Sequence, residues 1–271
     1  MTIIDLHSYN AVFVSISGGK DSQVVLGVIM DAVREQGYQG NVIAVHADTG
    51  AEWPQSLSHC RTLCAHYGIP LEIAIPVRPL PDRIEMRCRE LQERGKKGGW
   101  PDMANRYCTS DCKTAPISKI IRRHFGGRRK TGAKVLSVTG ERREESRHRR
   151  LLPEFEPHAL TCDRDGYRKV WHYRPILDMG VADVWAYIRA TRLPHHPAYG
   201  MGNERVSCAI CVLATESDIR NGARQCPALA ERYLRIERET GHAFRHRRPL
   251  ADILNRVHFE GSSDETIRVI R

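Results

Sequence analysis

The stretch Ser17-Gly18-Gly19-Lys20-Asp21-Ser22 constrains this chain more than any other. An apolar, β-prone run at residues 11–16 leads into it, and apolar residues at helical spacing, from Gln23 to Val33, lead out of it. The six residues therefore lie at a strand-to-helix turn. Two glycines permit backbone angles that other residues resist, and they leave room for a ligand beside the main chain. The helix that starts there points its free N–H groups and positive dipole end into the turn. Ser17, Ser22 and Lys20 add hydroxyl and ammonium donors, so the turn is an anion site whose natural guest is a phosphate chain. A Ser-Gly-Gly turn alone would read as a helix cap. Lys20, Asp21 and both serines between a strand and a helix favour the ligand site.

Strands are expected at residues 12–16, 41–47, 71–77 and 133–139, with helices at 21–35, 54–67 and 115–124 between them. That alternation predicts a doubly wound α/β fold around a mainly parallel sheet, covered on both faces. Ligands of such sheets lie beyond the C-terminal strand ends. Ser17 to Ser22, Asp48-Thr49-Gly50 and Gly140 all fall at such ends. Residues 79–111 are charged and read as a short helix at 83–94 followed by a loop. Further helices are expected at 181–191, 227–240 and 250–257, with a loose tail at 261–264. The expected division is a nucleotide-binding domain at 1–200 and a small helical, cysteine-bearing extension at 201–271.

Lys plus Arg number 42 against 32 Asp plus Glu, a net charge of +10 that suits a polyanionic partner. Hydrophobic content of 41% is ordinary for a soluble protein, and no window approaches the length of a membrane helix. The first residues have no basic segment followed by a long apolar core, so a cytoplasmic location is expected. Nine cysteines, an odd number, argue against a pure disulfide framework and for metal or redox work.

A second signal is the segment 140–150, in which Gly140 at a strand end precedes Arg142, Glu145, Ser146 and Arg149. Arginines there can clamp phosphates in bidentate fashion, and Glu145 can hold an arginine or help bind Mg²⁺. A solvated charged helix would explain the charges but not the glycine. The third signal is Cys208-Ala209-Ile210-Cys211. Alone, this Cys-x-x-Cys fits a zinc knuckle, an iron–sulfur half-site or a redox pair. Cys108 and Cys226 are the expected distant partners, with Cys112, one helical turn from Cys108, as the substitute. Cys60, Cys64, Cys88 and Cys162 are expected to pack as small hydrophobes.

The loop resembles the PP-loop, Ser-Gly-Gly-x-Asp-Ser, of the ATP pyrophosphatase superfamily, with its adenine nucleotide alpha hydrolase-like fold, and differs from a Walker A loop. Arg106-Tyr107-Cys108-Thr109-Ser110-Asp111 with Lys113 and Pro116, the Gly140-x-Arg142-x-x-Glu145-Ser146-x-x-Arg149 run, Pro175-Ile176, Asp183-Val184-Trp185, His196-Pro197-x-Tyr199 and Gly202-x-x-Arg205-Val206-Ser207-Cys208-x-x-Cys211 resemble the phosphoadenylylsulfate (PAPS) reductase family. Within it they are most similar to the DndC-type proteins of DNA phosphorothioation. The resemblance covers about residues 12–226. It implies ATP on Ser17, Gly18, Gly19, Lys20, Asp21 and Ser22, with Asp48, Thr49, Gly50, Gly140 and Arg142 on the nucleotide side and Mg²⁺ nearby. It implies Lys20, Asp21, Arg142 and Glu145 as catalytic groups. Cys108, Cys208, Cys211 and Cys226 would hold a [4Fe-4S] cluster, with zinc as the alternative. Two departures separate the chain from sulfonucleotide reductases: Cys108 is not part of a Cys-Cys pair, and no Glu-Cys-Gly-x-His motif follows Cys226 in the 271 residues.

The leading expectation is an ATP pyrophosphatase or adenylyltransferase that activates a nucleic-acid oxygen, a DNA phosphate foremost, for sulfur incorporation. The expected partners are DNA or another nucleic acid, a cysteine desulfurase as sulfur donor, and further copies of the chain in a homo-oligomer; no membrane is expected. Two alternatives stand beside it. A sulfonucleotide reductase would need a catalytic cysteine such as Cys112. A non-catalytic nucleotide- and DNA-binding protein with a structural metal would bind ATP without releasing pyrophosphate.

Overall fold

The computed structural model describes residues 4–125, 132–161 and 167–255. Cys162, the tail at 261–264 and the end of the helix expected to reach residue 257 lie outside the described residues. The apolar runs form β1 (Ala11–Ser15), β2 (Asn41–Ala47), β3 (Leu71–Ala74) and β4 (Lys134–Val138). Side chains alternate across β1: Val12 and Val14 face one apolar cluster, Ala11 and Phe13 the other. Between the strands run α1 (Lys20–Gln36), α2 (Ser56–Tyr67), α3 (Leu80–Glu93), the single turn α4 (Tyr107–Thr109) and α5 (Ala115–His124). A π-helical turn, Ser110–Thr114, joins α4 to α5. β3 ends three residues before its expected limit. Pro76 brings no N–H to the ladder, and the chain leaves the sheet there.

Two strands extend the sheet beyond the expected four: β5 (Phe155–Pro157) and β6 (Lys169–Tyr173). The order is β3-β2-β1-β4-β6-β5, parallel throughout except that β5 runs against β6. The sheet is thus mixed, with one antiparallel edge. After β1 the chain builds outward through β2 to β3, then crosses back to place β4 on the other side of β1. That reversal opens a crevice at the carboxyl ends of β1 and β4. The loop after β1 and Gly140 after β4 both lie at this point.

The remaining helices are α6 (Arg147–Arg150), α7 (Val181–Thr191), α8 (Pro197–Gly200), α9 (Glu216–Gln225), α10 (Pro227–Thr240) and α11 (Leu250–Asn255). The side chain of Thr215 caps α9 by accepting the Asp218 N–H. Tyr233, Ile236, Phe244 and Ile253 join Ile84, Trp100, Tyr107 and Cys112 in one buried cluster, so the C-terminal helices share apolar packing with α3 and the segment after it. Among the described residues no helix is long and apolar enough to cross a membrane.

Candidate nucleotide and thiol site

Gly18 takes φ +82°, a left-handed angle that favours glycine, and this turns the chain from β1 into α1. Ser22 closes the turn. Its hydroxyl donates to the Gly19 carbonyl at 2.8 Å and accepts the Ser17 N–H at 3.1 Å. Ser17 and Ser22 hydroxyls stand 3.3 Å apart. The first amide of α1 is not left bare: Lys20 N–H donates to the Tyr199 hydroxyl at 2.7 Å. The Lys20 ammonium donates to the Glu204 carbonyl at 3.1 Å and lies 3.6 Å from Asp21.

β4 delivers the second half of the site. A Cβ on Gly140 would stand 2.9 Å from the carbonyl carbon and oxygen of Asp21, so glycine is what lets the strand end approach α1. Two residues on, Arg142 is 4% exposed and its Nε lies 2.5 Å from Asp21 Oδ1. Burial works against its charge, but Asp21 and Glu144 more than compensate and raise its pKa. Glu145 accepts the Arg142 N–H at 2.9 Å and pairs with Arg149 and with Arg205, the latter at 3.3 Å. A cavity of about 640 Å³, ample for a nucleotide, is lined by Lys20, Arg142, Glu145, Trp185, Glu204 and Arg205 among others. Three of the four expected catalytic residues thus share one cavity, and the fourth, Asp21, is ion-paired to two of them. Arg205 and Tyr199 were not expected in the site. They lie some 180 positions from the loop, and nothing in local spacing reveals such a contact.

Asp48, Thr49 and Gly50 form a tight turn after β2, with Gly50 N–H donating to Asp48 Oδ1 at 3.0 Å. Glu52 organises this turn, accepting the Thr49 N–H and hydroxyl at 2.8 Å and the Ala51 N–H at 3.2 Å. The same carboxylate stands 4.0 Å from the Cys208 thiol, and Ala209 N–H donates to the Ala51 carbonyl at 2.8 Å. The turn after β2 and the Cys-x-x-Cys are therefore bonded to each other.

Cys108, Cys208 and Cys211 lie within electrostatic reach of one another, with half-buried Lys113 and Glu52 beside them. Burial pushes the Cys208 thiol up to about 12 and the Cys112 thiol up to about 11, although Lys113 opposes the shift at Cys208. The Cys208 thiolate above all raises the Lys113 ammonium's pKa. Cys226, expected as the fourth ligand, packs with Trp53, Ala198 and Ala209, the last of these between Cys208 and Cys211, and burial alone raises its thiol. Three soft donors thus gather, chemistry that suits an iron–sulfur centre or zinc. They are neighbours rather than a finished cage: among the described residues, no three His, Cys, Asp or Glu side chains stand in a metal-holding arrangement. Cys60, Cys64 and Cys88 are buried, with thiols raised by burial to about 12, 11 and 12.

Residues 196–211 form a strap over the loop. His196 packs against Gly18 and faces the Ser56 hydroxyl at 3.2 Å, Tyr199 and Glu204 hold Lys20, and Arg205 reaches Glu145. A Cβ on Gly19 would stand 3.0 Å from the Val206 carbonyl oxygen. The strap then continues into Cys208 and Cys211.

Fold and site together define an α/β nucleotide-binding domain of the PP-loop type. The family described as phosphoadenosine phosphosulfate reductase domain matches residues 11–214, and the chain belongs to it. An uncharacterized protein of Methanocaldococcus jannaschii is 27% identical over 228 residues, 84% of this chain and 42% of the relative. The adenosine 5'-phosphosulfate reductase of Neisseria meningitidis serogroup B is 34% identical over 150 residues, 54% of this chain and 52% of the relative. The chain spans about half the length of the curated relatives it matches. Among solved structures it is similar to a phosphoadenylyl-sulfate reductase from Candida auris in a phosphate complex, with a TM-score of 0.44, 19% identity, and 73% and 80% of the two chains covered.

Proposed function

We infer that this chain is an ATP pyrophosphatase or adenylyltransferase of DndC-like type, acting in sulfur incorporation into nucleic acid. One observation carries the reading. A single strap holds the phosphate loop through Tyr199 and Glu204 and presents Cys208 and Cys211 a few residues later. In this reading nucleotide chemistry and thiol chemistry share the carboxyl end of the sheet.

In this reading the β- and γ-phosphates of ATP lie against Ser17 to Ser22, and Asp21, now paired with Lys20 and Arg142, is the carboxylate that would hold Mg²⁺. A nucleic-acid oxygen, foremost a DNA phosphate oxygen, attacks the α-phosphorus. The bond from the α-phosphorus to its bridging oxygen breaks, and pyrophosphate leaves as one piece. Lys20 and Arg142 stabilise the charge that grows on the phosphates. The adenylylated oxygen is then a leaving group: a thiol reductant frees sulfide from the persulfide of a cysteine desulfurase and is itself oxidised to a disulfide, the sulfide attacks the acceptor phosphorus, and the P–O bond to AMP breaks. Cys108, Cys208 and Cys211 are the residues that would hold an iron–sulfur centre, which when bound supplies a thiophilic iron beside this step. The test is pyrophosphate release from Mg-ATP with DNA or RNA present. Wild type should release it and Lys20→Ala should not; release that is absent in both, with ATP bound, removes the reading.

The family match favours a second reading, sulfonucleotide reduction. It calls for a cysteine nucleophile, and Cys112 is a poor one: 1% exposed, its thiol pushed to about 11 by burial. Thiol-dependent sulfite release from adenosine 5'-phosphosulfate would establish this reading in place of the first.

A further inference from the structure

The segment between β3 and α5 carries more positive charge than its carboxylates neutralise, and the excess leads to the thiols. Arg83, Arg87 and Arg94 recur four and seven residues apart, one stripe along α3 and its end. α3 starts beside the nucleotide-side turn, where Leu80 N–H donates to the Thr49 carbonyl at 2.7 Å. Just before it, exposed Arg78 offers its carbonyl to the Cys112 thiol at 3.9 Å. Farther along, the Arg83 and Arg87 guanidiniums lie 5.2 and 5.0 Å from the ring centre of Tyr107, the neighbour of Cys108. The loop that follows exposes Arg94, Lys96 and Lys97 and returns to Tyr107, whose hydroxyl donates to the Gly99 carbonyl at 2.6 Å. Exposed Arg106 adjoins Tyr107 and lies within electrostatic reach of Cys108.

The nearby acids are mostly occupied. Asp111 pairs with Arg83 at 3.0 Å, and Asp82 and Glu85 pair with Arg232 of α10 at 2.6 and 3.0 Å. Asp102 caps its own turn by accepting the Ala104 and Asn105 N–H groups. Among the described residues, Arg78, Arg87, Arg94, Lys96, Lys97 and Arg106 have no ion pair, and Glu90, Glu93 and Asp102 oppose them in the same state.

We propose that this face of α3 and the loop after it bind the phosphate backbone of a nucleic-acid strand and guide it to the cysteines. The proposal rests on the reading above that the acceptor is a nucleic acid. A helix of this length spans about 21 Å, which one strand covers with about six nucleotides. Guanidinium groups suit phosphate in bidentate pairs. The aromatic rings of this face, Trp100 and Tyr107, are each 6% exposed and offer no platform for bases. Binding is therefore to the backbone, indifferent to sequence and steeply dependent on salt.

The test is fluorescence anisotropy with labelled single-stranded DNA and RNA oligonucleotides over a salt series. Three proteins are compared: wild type, a variant with all six unpaired cations changed to Gln, and a control carrying Lys119→Gln, Arg122→Gln and Arg189→Gln. With about 0.7 counterions released per phosphate contact on a single strand, the six-fold variant should lose about 4 from the slope of log K against log salt. It should also bind more than 100-fold more weakly at low salt, while the control matches wild type. A wild type that binds neither strand, a six-fold variant that binds like wild type, or a control that loses as much would overturn the proposal. So would a polyglutamate of equal charge that binds as tightly as the strands. Pyrophosphate release separates the two claims. If wild type binds strands through these residues yet releases none, the surface stands and the activation reading falls. If the six-fold variant responds to strands as wild type does, the surface falls and the activation reading stands.

Discussion

Replacing Gly140 with alanine isolates one steric requirement of the site. The added methyl would meet the carbonyl carbon and oxygen of Asp21 at 2.9 Å and the Ser22 nitrogen at 3.1 Å. These are backbone atoms in the first turn of α1, so no side chain can rotate away. Gly140 does not take a positive φ, so the penalty is crowding alone. Relief requires the end of β4 and the start of α1 to part by about half an ångström, at an overpacking cost of about 1–3 kcal/mol. In a chain of this size that lowers Tm by about 3–10 °C. The functional cost is expected to be larger, because Asp21, Ser22 and Arg142 are the groups displaced, and misplacement of this order costs up to about 100-fold in rate. The assay is a thermal melt, with titration of a fluorescent ATP analogue and pyrophosphate release measured beside it. Gly200→Ala is the control, since a Cβ there meets nothing within 4 Å. If Gly140→Ala melts and binds nucleotide like wild type, the reasoning from close approach is refuted.

Other outcomes follow from the same contacts. Arg142→Gln should lower pyrophosphate release by about 100-fold or more, because Asp21 and Glu144 lose their shared cation; unchanged turnover would remove Arg142 from the chemistry. Cys208→Ser should abolish iron or zinc binding in protein purified without oxygen, whereas Cys226→Ser should leave metal content unchanged; equal loss in both would establish the four-cysteine site. His59, His172 and His196 are held neutral by burial, each lowered to about 4 from an ordinary value of 6.5. As pH falls from about 6.5 toward 4, the unfolded chain takes up these protons first, so stability drops across that window and levels below it. Up to three protons set a slope approaching about 4 kcal/mol per pH unit. Denaturant unfolding between pH 7 and 4.5 measures it, and a flat profile would contradict the burial argument.

Much of the central sheet was legible because its strands are short apolar runs between helices of clear period. β2, α5, α7 and α10 lie at their expected limits, and β1 and α1 within a residue of theirs. The edge strands β5 and β6 were not. Three residues ending in proline, and five that mix Lys169 and His172 with Val170 and Trp171, carry no periodic signal; their pairing depends on β4 already being in place. α9 was missed for a similar reason, since its sequence is polar and only the Thr215 cap marks its start. In the site, Ser17 to Ser22 and Gly140 were readable because backbone geometry demands particular residues there. Tyr199 and Arg205 act across the whole length of the domain, and only the fold brings them to the loop. The thiols show the same divide. Cys-x-x-Cys guarantees that Cys208 and Cys211 are neighbours, but whether Cys226 reaches them depends on how α9 and α10 pack.

The strap has a consequence for timing. In this structure the two donors that a phosphate would seek first, the Lys20 amide and the Lys20 ammonium, are held by Tyr199 and by the Glu204 carbonyl. An incoming triphosphate competes with the protein's own atoms for them. The residues it displaces are tied by a few peptide bonds to Cys208, itself bridged to the turn at Glu52. Under the proposed function, a triphosphate that displaces Tyr199 and Glu204 pulls on the same segment of backbone that carries Cys208.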